Sequence, residues 1–146
     1  IKELASDEAA YRSVVKSWFE HSTLLSILRE IAARGGKVFI TTDHGSIRVK
    51  EPSKIVGDKD VNPNLRYKQG KSLNYEAKDV LAITDPSEAH LPKVNVSQKF
   101  VFAKDDKFFA YPNNYNHYVK YYKDTFQHGG ISLEEMLIPI VKLSPR

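Results

Sequence analysis

The run Val38-Phe39-Ile40 constrains the fold more than any other stretch of this chain. It is short, continuously apolar and preceded by two helical patterns. Tyr11, Val14, Val15, Trp18 and Phe19 fall at i, i+3, i+4, i+7 and i+8, which is one apolar helix face. Ser22 or Thr23 can cap a second helix, which Leu24, Leu25, Ile27, Leu28 and Ile31 continue and Arg34-Gly35-Gly36 ends. A short apolar run at 37–41 arriving from a helix reads as a parallel strand buried on both faces. The expected fold class is therefore α/β, a mostly parallel sheet flanked by helices.

The carboxyl end of that strand is where chemistry is expected. In open α/β sheets, ligands bind beyond the carboxyl ends of the strands. Here the strand runs into Thr41-Thr42-Asp43-His44-Gly45. Neighbouring side chains in a strand point to opposite faces, so two consecutive residues serve one ion only where the strand has already turned. Gly45 permits that turn. Asp supplies a hard oxygen and neutral His a borderline nitrogen, a mixture suited to zinc or manganese. The plainer alternative is that Asp43 caps a turn and His44 is a surface histidine. A second motif, His128-Gly129-Gly130-Ile131-Ser132, lies near the C-terminus, and its glycines let the backbone pass tightly around an ion or phosphate.

The chain has no cysteine, so a metal must be held by His and carboxylates. This fits a reducing, cytoplasmic compartment. No apolar run approaches the roughly 18 residues that span a membrane. Its 146 residues suit one domain and carry a net charge of +4. Residues 47–79 hold eight Lys/Arg against five Asp/Glu, so this segment contributes +3 (8 − 5) and favours an anionic partner. The first residue is Ile1, and Met136 is the only methionine. Initiator Met is not normally removed before a residue as large as Ile, so the chain is expected to come from a longer protein.

Between the two motifs the reading is coarser. Ile47-Arg48-Val49 can form a short strand, and Glu51-Pro52, Gly57-Asp58 and Asn62-Pro63-Asn64 are turn signals. Residues 80–84 form a candidate strand stopped by Asp85-Pro86. Phe100-Val101-Phe102 is another, and Asp105-Asp106 reads as a hairpin turn into 107–111. Tyr115, Tyr118, Val119, Tyr122 and Phe126 trace a helix with an aromatic face. That face serves either to pack a core or to stack bases. Ser132-Leu133-Glu134-Glu135 is a capping box, Ile131 and Met136 can form its hydrophobic staple, and 140–143 returns as a final strand. His90, His117 and His21 are expected at a helix end, on a polar helix side and in a turn.

In this order and spacing, the two histidine motifs resemble the PglZ domain of the alkaline phosphatase superfamily. The stretches Asn64-Leu65-Arg66-Tyr67-Lys68-Gln69-Gly70 and Phe109-Ala110-Tyr111-Pro112-Asn113-Asn114-Tyr115 resemble those of PorX-type response regulators of Bacteroidetes. The resemblance implies two divalent metal ions, zinc or manganese, and in-line phosphoryl transfer. Asp43 and His44 match the pair that binds one ion, and His128 matches a ligand of the other. Arg66 and Lys68 are candidates to bind the phosphoester or nucleotide substrate. The family pattern also needs an upstream aspartate, a Thr or Ser nucleophile and an Asp-x-x-x-His pair. Residues 1–42 offer only Asp7 and His21. The chain, 1–146, is thus expected to be the C-terminal part of the domain, with a β-rich insertion. Its N-terminal half and any receiver domain would lie elsewhere, and this part alone would be inactive. Such a part could also form a homodimer through the surface its missing half covers. The alternative is a non-catalytic module of a two-component regulator that binds a nucleotide or a protein.

Overall fold

The computed structural model describes residues 5, 7–57 and 62–145. In chain order the helices are α1 (Glu8–His21), α2 (Thr23–Ala33), α3 (Tyr115–Tyr122) and α4 (Leu133–Met136). The strands are β1 (Val38–Thr41), β2 (Ile47–Arg48), β3 (Glu51–Gly57), β4 (Tyr67–Gly70) and β5 (Leu73–Tyr75), then β6 (Val80–Ile83), β7 (Lys99–Ala103), β8 (Lys107–Ala110), β9 (Phe126–Gln127) and β10 (Ile140–Leu143). The chain divides into two compact units, Ile1–Asp43 with Leu137–Arg146, and His44–Met136. Among the described residues no helix is long and apolar enough to cross a membrane.

The first unit contains α1, α2, β1 and β10. Asp7 caps α1, its carboxylate accepting the Ala10 N–H at 2.7 Å. Ser22 stands at the N-cap of α2, but its hydroxyl donates back to the Phe19 carbonyl and so closes the preceding helix instead. β1 pairs antiparallel with β10, from Val38 opposite Leu143 to Thr41 opposite Ile140. This corrects the expected parallel strand buried on both faces. Phe39 is 66% exposed and Ile140 74%. A four-residue apolar run carries no period, so it cannot distinguish a doubly buried strand from a half-exposed one.

The second unit holds two three-stranded sheets, ordered β5-β3-β8 and β4-β7-β6. Only the β3–β8 pairing is parallel among the described strands, so the mostly parallel sheet is not what forms. Short connections favour antiparallel neighbours, because a parallel pair needs a crossover of a dozen or more residues. Asp105, at φ 48°, does make the expected turn, but β7 and β8 are not a hairpin: β7 lies between β4 and β6, whereas β8 joins β3. Their aromatic-rich runs are each buried almost throughout. Alternation sends Phe109 into one core with Ile55, Val80, Val101 and Ala103. Phe108 faces the other way, into a cluster with Val49 and Ala110 that Tyr115, Val119 and Tyr122 of α3 cover.

The two sheets are tied by the lead-in to β4. The Leu65 carbonyl accepts Phe109 N–H at 2.8 Å, and the Arg66 carbonyl accepts Ala103 N–H at 2.9 Å. β3 begins at Glu51-Pro52, where a turn is expected. β4 and β5 lie in the segment that the sequence reading leaves unassigned. Gly57 ends β3, and Asp58, its partner in the second turn signal, falls outside the described residues. The third helix stops at Tyr122. Asp124 takes φ 63°, and Phe126 instead enters β9, buried. His21, His90 and His117 are all exposed.

Candidate functional site

The register of β2 on β9 delivers the second unit's site. Ile47 lies opposite Gln127 and Arg48 opposite Phe126, antiparallel. The chain running back from Ile47 and the chain running forward from Gln127 therefore leave the ladder side by side. His44 lies on the first and His128 on the second. Their imidazoles stack, with ring centroids 3.8 Å apart and an interplanar angle of 11°. Both side chains are half-buried.

His44 is further oriented by its own backbone. Its Nδ1 lies 2.7 Å from the Gly45 carbonyl oxygen, which can only accept. Nδ1 is therefore the donor in this contact. This is the way metal-binding histidines are commonly held. Gly45 has no room for a side chain, since a Cβ there would collide with the Glu134 carbonyl. The close approach is fixed by Gly45 N–H donating to the Glu135 carbonyl at 2.8 Å.

Asp43 is the last residue of the first unit, exposed, with the Thr42 hydroxyl 3.3 Å from its carboxylate. One peptide bond joins it to His44. Among the described residues no group of three or more His, Cys, Asp or Glu is arranged to hold a metal ion. Imidazole and carboxylate are donor types that suit zinc or manganese, and the two histidines of the second unit are fewer than two such ions require.

Arg66 and Lys68 occupy places that the sequence reading did not foresee. Both are buried, at 0% and 1% exposure. Arg66 Nε and Nη2 each approach a carboxylate oxygen of Glu135 at 2.9 Å, and Nη1 donates to the Lys107 carbonyl. Lys68 donates to the Asn62 carbonyl at 2.8 Å and stands over the Tyr111 ring, 4.8 Å from its centroid. Groups so enclosed do not meet a substrate in this conformation; a charged side chain can be buried when its donors are satisfied internally. Burial alone pushes the Lys68 ammonium down to about 8.

Glu135 and Asn64 are the residues the sequence reading missed. Glu135 has a sufficient local explanation as the third residue of α4, and Asn64 as a turn former. Their tertiary contacts are invisible in sequence. Asn64 Nδ2 donates to the His128 carbonyl at 3.2 Å, and its Oδ1 accepts the Arg66 N–H at 2.7 Å. Burial of the Glu135 carboxylate opposes its ionisation. The hydrogen bond and charge of Arg66, with the Gly130 N–H and the Ser132 contact, outweigh that and hold its pKa below the usual value. Beside His128 opens a cleft of about 400 Å³, bordered by Asn62, Asn64, Tyr67, Tyr122 and Gln127.

The stacked histidines lie in a chain that a family comparison places among alkaline phosphatase-like domains. Over residues 2–143 the chain matches the BREX system PglZ alkaline phosphatase-like domain, and it is a member of that family. No curated protein matches the chain.

Proposed function

We propose that this chain is part of a metal-dependent phosphoesterase acting on a phosphodiester, with Asp43, His44 and His128 among the ligands of two divalent ions, zinc or manganese. The observation that carries the reading is the stacking of His44 on His128 at 3.8 Å. Two-metal phosphoryl-transfer sites hold their ions about 3.5–4 Å apart. Parallel imidazoles at that spacing can each serve one ion of such a pair. Asp43 enters the ligand set through its match to the family pattern. Metal ions held there would polarise the phosphoryl oxygens and activate the nucleophile. No residue here matches the family nucleophile, so the reading takes it from elsewhere in the protein.

The cleft beside His128 would take the organic substituent of the phosphoester. Its amides and tyrosines suit a planar group with its own donors and acceptors, such as a nucleobase. A response-regulator setting rests on the resemblance at 64–70 and 109–115.

A second reading, a regulatory module that binds a nucleotide or protein without catalysis, draws on the exposed outer side of α3. There Tyr121 is 61% exposed and stacks on His117. The test is hydrolysis of a phosphodiester by the intact protein with zinc or manganese, in wild type, Asp43→Ala and His128→Ala. The phosphoesterase reading expects metal-dependent turnover lost in both variants. Ligand binding without metal-dependent turnover, unchanged by either substitution, would replace it with the binding module.

A further inference from the structure

We infer that Glu135, locked by Arg66, is the positioning residue that sets the register between His44 and His128. The inference rests on the metal-site reading and deepens it. Three connections converge on this one residue. Its backbone carbonyl holds the Gly45 N–H, one residue beyond His44. Its carboxylate holds the Gly130 N–H at 2.9 Å and the Ser132 N–H at 3.2 Å, just beyond His128. The same carboxylate is gripped by both arms of Arg66. Arg66 in turn is bonded into the sheets, through its own carbonyl to Ala103 and through Nη1 to the Lys107 carbonyl. Both histidine loops are thus referred to one rigid β framework, the arrangement that precise sites require.

Helix capping does not account for this pair. Only one half of the capping box forms: the Glu135 carboxylate accepts the Ser132 N–H, but the Ser132 hydroxyl does not accept the Glu135 N–H. The helix it would stabilise is four residues long, with Leu133 71% and Met136 62% exposed. An ion pair with 0% and 1% side-chain exposure carries a desolvation cost that apolar residues of similar volume would avoid. What such a pair offers in return is fixed geometry. Here the geometry it fixes is that of the two loops bearing the imidazoles. Asn64 reinforces it, linking the His128 carbonyl to the Arg66 N–H.

The test reads the imidazoles directly. In the intact protein with labelled histidine, stacked rings shield one another's protons, a signature independent of metal. In Glu135→Gln the core signals of Phe102 and Phe108 should stay, the His44 and His128 ring protons should lose their mutual shielding, and the Gly45 and Gly130 amides should exchange faster. Zinc affinity should fall about 10- to 100-fold, as for other residues that orient metal ligands. Unchanged ring shifts and zinc affinity in this variant would overturn the inference. If Glu135→Gln fails to fold, Gly130→Ala takes its place, because a Cβ there would lie 2.5 Å from Glu135 Oε2 and 2.9 Å from Arg66 Nε. Loss of the stacking signature with an intact core supports the inference, and its persistence overturns it. A wild-type protein that binds no zinc overturns the metal reading and the clamp's purpose with it. Ring shifts that still collapse in Glu135→Gln would then show that the metal reading failed and the clamp geometry did not.

Discussion

Lys68 should make this protein more stable in mildly alkaline solution, and Lys68→Met should abolish that gain. The side chain is 1% exposed on β4, opposite Val101. Its two contacts, the Asn62 carbonyl and the Tyr111 ring, carry no net negative charge. Burial lowers its pKa from 10.5 to about 8. The folded value is thus below the unfolded one, and between the two the unfolded chain binds more protons. Stability therefore rises with pH across that window. Integrating the two titrations from about pH 7 to about pH 9.5 gives a rise of about 2 kcal/mol. Urea unfolding of wild type and Lys68→Met across this range isolates the effect, because every other titrating group is common to both. The wild-type curve should climb away from that of the variant at neutral pH. At high pH the wild type keeps the Asn62 contact without the cost of a buried charge. Parallel curves would refute the reasoning, and would mean that the ammonium is solvated or paired in the native state.

The buried contacts set four further outcomes. Glu135→Ala leaves Arg66 charged and unpaired in the interior and should cost about 3–5 kcal/mol in denaturant unfolding, whereas Arg66→Met with Glu135→Leu should cost less. Because the folded pKa of Glu135 is lowered, its contribution is present above the usual carboxylate value of 4.5 and is lost as pH falls through the folded value. Acid unfolding of Glu135→Gln should lack that component. Gly45→Ala drives a Cβ onto the Glu134 carbonyl and should cost about 1–3 kcal/mol, with faster amide exchange at residue 45 as its local marker. Phe108→Ala, at 0% exposure between β8 and α3, should cost about 3–5 kcal/mol and loosen α3, read from the exchange of its amides.

Local features of the fold were legible in the sequence. The apolar spacing from Tyr11 to Phe19 marks α1, Gly35 at φ 73° comes just after α2, and the turn at Asp105 separates two real strands. The partners of those strands were not legible. β7 and β8 look like a hairpin because a turn signal states where the chain reverses, not which sheet it then joins. β4 was hidden by its own chemistry, since Arg66 and Lys68 read as basic side chains offered to an anionic substrate, and only their tertiary partners make burial tolerable. The site shows the same division. Asp43, His44 and His128 stand out as residue types beside glycines. The stacking of two of them depends on the β2–β9 register, which is a fact about pairing. Glu135 escaped notice because a local role already explained it.

The pairing of β1 with β10 has a consequence for how the molecule assembles. Thr41 Oγ1 reaches the Pro139 carbonyl across 98 positions of sequence. Closing so long an open chain costs about 4 kcal/mol in entropy. Once His44–Met136 has folded, however, Gly45 is already bonded to Glu135, and the two tethers leave that unit together. The remaining loop is then only a few residues long, and most of the entropic barrier is gone. We therefore expect β7 amides to gain protection before β1 amides in pulsed exchange during refolding. β1 is synthesised before that unit, and its partner residues 140–143 only after it. Until they arrive, β1 waits as an open edge.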